Sequence, residues 1–244
     1  MTRLFLTTLL AGLMLSTAAH ADTVSVAVAA NFTKVAEALA PIFKAETGHD
    51  VTYSFGATGQ LYTQISQGAP FEVLLAADDE RPTKAVTEGL GVDGTVFTYA
   101  IGTLALYSTS IDLADGAAVL AADDFEKIAI ADPASAPYGQ AAVEAIEALG
   151  LTAAITPKLV TGENITQTLQ FIESGNAGLG FVAASQVVGK TGVWIVPAEL
   201  YQPIRQDAVL LKTGEANPAA TAYLDFLKSD AALAVIEGAG YAVE

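Results

Sequence analysis

The chain contains no cysteine. Disulfides, thiolate nucleophiles, cysteine-bound metals and lipid anchoring through sulfur are therefore excluded, and a freely diffusing protein is expected. Histidine is nearly as scarce, with only His20 and His49 present. His49 follows Gly48, where a helix should stop, so it is expected in a solvated turn. No Ser-His-Asp triad and no His-rich metal site can be assembled from these. Basic residues are few, 11 against 27 acidic ones, for a formal net charge of −16. Such a chain is a poor partner for nucleic acid or anionic lipid. Beyond the N-terminus no apolar run approaches the ~18 residues of a membrane span.

What is present begins with an N-terminal leader pattern. Arg3 supplies a positive start, Leu4 to Ser16 form an apolar stretch, and Ala19-His20-Ala21 has the small-x-small form of a cleavage site. The expectation is a signal peptide over 1–21, with processing between Ala21 and Asp22; a buried N-terminal helix is the alternative. Loss of Arg3 takes the net charge from −16 to −17. The mature chain is long enough to bury a core without covalent staples.

From Val24 onward strands and helices alternate. Val24–Ala30 is a β-rich run. Asn31 has the character of an N-cap, and Val35, Leu39, Ile42 and Phe43 share a helical face that Gly48 ends. Pro41 inside that pattern predicts a kink or a helix in two pieces. Val51–Phe55, Phe71–Ala76, Lys127–Ala131, Lys158–Val160, Leu179–Val182 and Val193–Val196 read as strands. Helices are expected over Leu61–Gln67, from Pro82 to Gly89, over Tyr138–Leu149 and over Ile165–Glu173. Near the end, Asn217 with Pro218 and then Ser229 start two more. This alternation predicts an α/β fold of mixed, mostly parallel sheets flanked by helices. Two long extended runs, Phe97–Tyr107 and Ile204–Leu211, bracket the middle of the chain. If the chain crosses between lobes at both, lobe one is 22–100 with 205–244, and lobe two is 101–204.

Four strand–helix junctions carry small or hydroxylic residues: Ala30-Asn31, Gly56-Ala57-Thr58-Gly59, Ala136-Pro137-Tyr138-Gly139 and Gly162-Glu163-Asn164-Ile165. Each can aim unpaired first-turn N–H groups at a common point, and helix starts favour anions. Several such dipoles in a water-poor cleft can hold a dianion without a cationic side chain, whatever the net charge. Taken singly, each junction is better explained by capping and turn geometry.

The words around the junctions say more. Ala29-Ala30-Asn31-Phe32-Thr33, Gly56-Ala57-Thr58-Gly59, Gly68-Ala69-Pro70, Ala76-Ala77-Asp78, Asp132-Pro133 with Ala136-Pro137-Tyr138-Gly139, Leu179-Gly180-Phe181-Val182 and Gly238-Ala239-Gly240-Tyr241 stand in one order through most of the chain. Together they resemble the periplasmic molybdate-binding proteins of ABC importers. The resemblance implies a two-lobed type II periplasmic-binding-protein fold and capture of molybdate, with tungstate, in the interlobe cleft. It implies delivery to a membrane permease, a monomeric chain, no enzymatic activity, no cofactor, and molybdenum held only as its oxyanion without direct protein–metal bonds. By position it assigns the ligand contacts to Asn31, Thr58, Tyr138 and Ile165, with backbone support from Ala30, Ala57 and Gly59. Some members place a tyrosine hydroxyl where this chain has Ala183 and an alanine where it has Tyr138. The expectation is that the Tyr138 hydroxyl replaces that donor; a ring packed at the cleft rim is the alternative.

Two other classes are weighed against this. A receptor for sulfate or phosphate would share the fold, and protonated phosphate would need a buried acceptor, for which Glu163 is the one carboxylate at the junctions. A ferric-ion receptor would want paired tyrosines with carboxylates or histidine. A secreted hydrolase could use Asp78 and Asp132 as its pair, although both also fit a cap or turn. Asp78-Asp79-Glu80 reads as charge on a helix's first turn, Asp123-Asp124 as solvated surface, and Trp194 as core.

Overall fold

The computed structural model describes residues 21–243; the leader expected over 1–21 lies almost wholly outside the described residues. The first stretch runs β1 (Thr23–Ala29), α1 (Thr33–Thr47), β2 (Asp50–Gly56), α2 (Thr58–Ser66), β3 (Val73–Leu75), α3 (Glu80–Thr87) and β4 (Phe97–Gly102). The middle runs β5 (Leu104–Tyr107), α4 (Gly116–Ala122), β6 (Ile128–Ala131), α5 (Pro137–Ala148), α6 (Thr152–Ile155), β7 (Leu159–Gly162), α7 (Ile165–Glu173), β8 (Leu179–Ala183) and β9 (Val193–Ile195). β10 (Ile204–Leu210), α8 (Pro218–Phe226) and α9 (Asp230–Gly238) follow.

These strands form two five-stranded sheets, β2-β1-β3-β10-β4 and β7-β6-β8-β5-β9. In the first, β1 pairs parallel with β2 and β3, while β10 pairs antiparallel with β3 and β4. The second repeats the plan, with β6 parallel to β7 and β8, and β5 antiparallel to β8 and β9. The sheets are thus mixed, with parallel and antiparallel pairings equally represented. The run read as one extended piece, 97–107, is two strands in different sheets with Thr103 between them.

Helices cover both faces of each sheet, so the strands are apolar on both sides. Val24, Val26 and Val28 of β1 pack with Phe32, Leu39, Phe43 and Tyr223 on one face. Ala27 joins Leu61, Ile65 and Leu74 on the other. Each large side chain so buried contributes roughly 1.5–3 kcal/mol. Gly48 ends α1 in the left-handed region at φ 78°. Pro41 does not split α1, which runs unbroken from Thr33 to Thr47. Both Pro41 and Glu37, whose carbonyl loses its partner, are exposed, so water can satisfy that carbonyl. Trp194 is half-buried rather than central, because β9 is an edge strand; its indole fits only because Gly116 lacks a Cβ, which would fall 2.4 Å from the ring. His49 is half-buried, its Nδ1 accepting the Asp22 N–H at 3.1 Å. Among the described residues no helix is long and apolar enough to cross a membrane.

Candidate functional site

Four chain segments meet between the two sheets. The 3-10 turn Ala30–Phe32 follows β1, α2 starts at Thr58 after β2, α5 starts at Pro137 after β6, and α7 starts at Ile165 after β7. Their first residues enclose one small cavity. Ala29, Ala30, Asn31, Gly56, Ala57, Thr58 and Ala77 line it from the first sheet's side, and Ala136, Pro137, Tyr138, Asn164 and Ile165 from the other. All four junctions singled out in the sequence are therefore brought together. The cavity is small, about 10 Å³.

The wall is neutral: among the described residues no charged side chain lines it. Its polarity comes from main chain. First-turn N–H groups have no carbonyl one turn back to bond, and α2, α5 and α7 each bring the positive end of a helix dipole to the wall. At α5 the first helical position is Pro137, which has no N–H, so Tyr138 supplies the first main-chain donor. At α7, Asn164 caps the helix through its side-chain oxygen, accepting from Thr166 N at 3.0 Å and Gln167 N at 3.1 Å. Ile165, 3 % exposed, is the first helical residue behind that cap.

Thr58 brings a side-chain donor. It is buried, and its Oγ1 accepts the Ala77 N–H at 2.9 Å. The hydroxyl's own proton remains to be given elsewhere, beside the cavity that Thr58 lines.

Other expected residues are placed differently. Gly59 is absent from the lining: its N–H donates to Ser135 O across the two halves at 2.8 Å. Asn31 lines the cavity but is no N-cap, since α1 begins at Thr33 without a side-chain cap. Its amide donates instead to Gln206 Oε1 at 2.8 Å and to the Tyr241 hydroxyl at 2.9 Å, which uses both amide hydrogens. The Tyr138 hydroxyl points away from the cavity. It accepts from Gln206 Nε2 at 3.2 Å, and a Cβ on Gly102 would lie 2.1 Å from it; neither Gln206 nor Gly102 lines the cavity. The donor expected to replace the one missing at Ala183 is thus engaged at the back of the site. Burial holds the Tyr138 phenol well above its ordinary pKa. Gln206 was not singled out in the sequence, and Tyr241 entered only within the phrase Gly238-Ala239-Gly240-Tyr241, with no role assigned to it. A lone glutamine in an apolar strand and a tyrosine near the end carry no local pattern that announces a partner.

The carboxylates do structural work. Asp78 accepts from Arg81 N at 2.9 Å and from the Arg81 guanidinium at 2.6 Å. Burial raises the Asp78 carboxyl above its ordinary range, against the lowering influence of Arg81. Asp132 binds Ala134 N at 3.0 Å and Ser135 Oγ at 3.1 Å within its own turn. Glu163 is exposed and does not line the cavity. A larger groove of about 430 Å³ lies alongside, lined in part by Asp78, Glu80, Arg81, Glu144 and Arg205. Its charges are of both signs, and those of Asp78 and Arg81 are paired with each other.

Comparison with known proteins gives the same direction. The family described as "Bacterial extracellular solute-binding protein" matches residues 24–242. The molybdate-binding protein ModA of Rhodobacter capsulatus is 54 % identical over 228 residues, 93 % of this chain and 90 % of that protein. ModA of Azotobacter vinelandii is 50 % identical over 238 residues, 95 % and 94 % of the two chains. Among solved structures, the Azotobacter vinelandii periplasmic molybdate-binding protein superposes with a TM-score of 0.86 at 36 % identity, covering 91 % of this chain and 99 % of that one.

Proposed function

Because the chain belongs to the bacterial extracellular solute-binding proteins, and among them to the molybdate-binding proteins, we propose that it captures molybdate between its two halves and delivers it to the membrane permease of an ABC importer. The observation that carries this reading is the neutral cavity at which several helix starts converge. A tetrahedral dianion offers four acceptor oxygens and no proton, which suits a wall of donors. Main-chain N–H groups of Asn31, Thr58, Tyr138 and Ile165, supported by the backbone of Ala30 and Ala57, would face those oxygens, and the Thr58 hydroxyl would add one side-chain donor. Tungstate, of the same shape and charge, is expected to bind too. Monohydrogen phosphate carries a proton that wants an acceptor, and among the described residues no carboxylate lines the cavity.

The acidic net charge of −16 does not oppose this, since local dipoles in a confined site outweigh distant, solvent-screened charges. The protein would work in the periplasm after losing residues 1–21, as a single copy, since one chain supplies the whole wall. It would need no cofactor. Residues 22–102 with 204–244, which carry the first sheet, would move as one lobe and 103–203 as the other. The crossings shift by two residues and one from the expected bounds, because β4 runs to Gly102 and β10 starts at Ile204.

A titration panel of molybdate, tungstate, sulfate and phosphate tests the assignment. At 100 times its dissociation constant a ligand adds about 2.7 kcal/mol of stability, a rise of about 5–10 °C in melting temperature for a chain of this size. Molybdate and tungstate should give that rise and phosphate should not. A shift with sulfate or phosphate but none with molybdate would overturn the ligand.

A further inference from the structure

Behind the cavity lies a set of buried polar side chains that the anion would not touch. Gln206, on β10 and fully buried, accepts from Asn31 Nδ2 at 2.8 Å and donates to the Tyr138 hydroxyl at 3.2 Å. The Tyr99 hydroxyl stands 3.2 Å from the same Gln206 oxygen. The β10–β4 register shifts between Gln206 and Asp207, the kind of irregularity that re-aims a side chain. Tyr241, beyond α9, accepts from Asn31 Nδ2 at 2.9 Å and from Ser185 Oγ at 2.9 Å, and donates to Asn31 O at 3.0 Å. Asn31, Tyr99 and Tyr241 belong with the first sheet; Tyr138 and Ser185 belong with the second, on α5 and just after β8. The side-chain hydrogen bonds Gln206–Tyr138 and Tyr241–Ser185 therefore span the halves, Tyr138 and Tyr241 also interact through their hydroxyls, and the Asn31 amide joins these groups into one chain. Gly102 makes the arrangement possible, since any Cβ there would occupy the place of the Tyr138 hydroxyl.

We propose that Gln206 and Tyr241 are positioning residues that clasp the two halves behind the cavity and set how long a bound oxyanion is held rather than how fast it is captured. This rests on the reading of the cavity as an oxyanion site between moving lobes. The physical ground is that these bonds exist only when the halves are together. They stabilise the closed arrangement and contribute nothing to the open one that a ligand first meets. A second consequence concerns Asn31. With both amide hydrogens spent on the clasp, its side chain orients its own main chain at the cavity wall and serves the anion through the N–H.

The test uses the full mature chain and exploits the absence of cysteine. Glu46→Cys and Glu147→Cys, both at exposed positions on opposite halves, accept spin labels for a distance measurement without ligand. In that background Tyr241→Phe, Gln206→Leu and Ser185→Ala should each move the distance distribution toward larger separations. Stopped-flow release of molybdate should quicken roughly 2- to 12-fold for each bond removed, with association changed less than about twofold. Tyr241→Phe with Ser185→Ala should be no worse than Tyr241→Phe alone, because Tyr241→Phe already deletes the one bond that Ser185→Ala removes, along with the two to Asn31. Ser185 is half-buried, and its loss leaves the core intact should Gln206→Leu fail to fold. Unchanged release and unchanged distances in both Tyr241→Phe and Ser185→Ala would overturn the clasp, as would association slowed as much as release is quickened. If the parent chain bound none of the oxyanions, the ligand reading would fail, and the ligand-free distances would still decide the clasp.

Discussion

The Thr58 hydroxyl accepts the Ala77 N–H, so replacing it acts on two interactions at once. Thr58→Ala should weaken molybdate about 10- to 150-fold, the worth of a hydrogen bond to a charged group. It should also lower ligand-free stability by about 1–3 kcal/mol, because Ala77 N–H is left buried without an acceptor. Thr58→Ser restores both, and calorimetry with denaturant melts on the two variants separates the effects. Unchanged affinity in Thr58→Ala would remove this junction from the site. At this scale the sequence was informative where a residue's role is local: Asn164, Asn217 and Ser229 accept first-turn N–H groups as helix caps, as their spacing implied. It misled where a distant partner takes the side chain. Asn31 and Tyr138 were placed at the cavity by their junctions, but their polar ends are claimed by Gln206, 175 and 68 positions away.

Helix α5 is seated on the end of β6 by Gly139. A Cβ there would lie 2.2 Å from Ala131 O, inside any permissible contact. Gly139→Ala should push the start of α5 off the strand, costing about 1–3 kcal/mol of stability. It should weaken molybdate as well, since the Tyr138 N–H moves with that turn. A melt and a titration check both, and a normal affinity would show that the start of α5 is not a wall of the site. Element boundaries were legible where punctuation is strong, as at Asn164 before α7 and Gly48 after α1. The run 97–107 was not, because β4 and β5 share one extended, apolar character and only pairing distinguishes them. α4 was missed because its Gly- and Ala-rich sequence offers little periodicity, and its cap, Asp115 accepting Ala118 N at 3.0 Å, is the one local signal. The equal share of antiparallel pairing escaped the pattern for the same reason: direction is set by where β10 and β5 insert.

Across the whole molecule, buried tyrosines tie stability to alkaline pH. Burial pushes Tyr53 and Tyr241 up to about 12 and Tyr99, Tyr138 and Tyr223 well above their ordinary value. In the unfolded chain all titrate near about 10. Between these values the unfolded state loses protons that the folded state keeps, so the stabilisation is complete below about pH 10 and is lost as pH rises toward the folded values. Denaturant titrations should find stability insensitive to tyrosine ionisation up to about pH 9, then falling by about 1.4 kcal/mol per pH unit for each such tyrosine. A flat profile through pH 11 would contradict the burial of these rings. The placement of β10 between β3 and β4 has a consequence of another kind, for the order in which a growing chain can assemble. All strands of the second sheet lie between Leu104 and Ile195, so that sheet can be complete while β10 is still unmade. The first sheet, begun at Thr23, must meanwhile keep β3 and β4 without the strand that joins them. The unit started first is finished last, and during synthesis its open sheet edges stay exposed until the chain's final segment is in place.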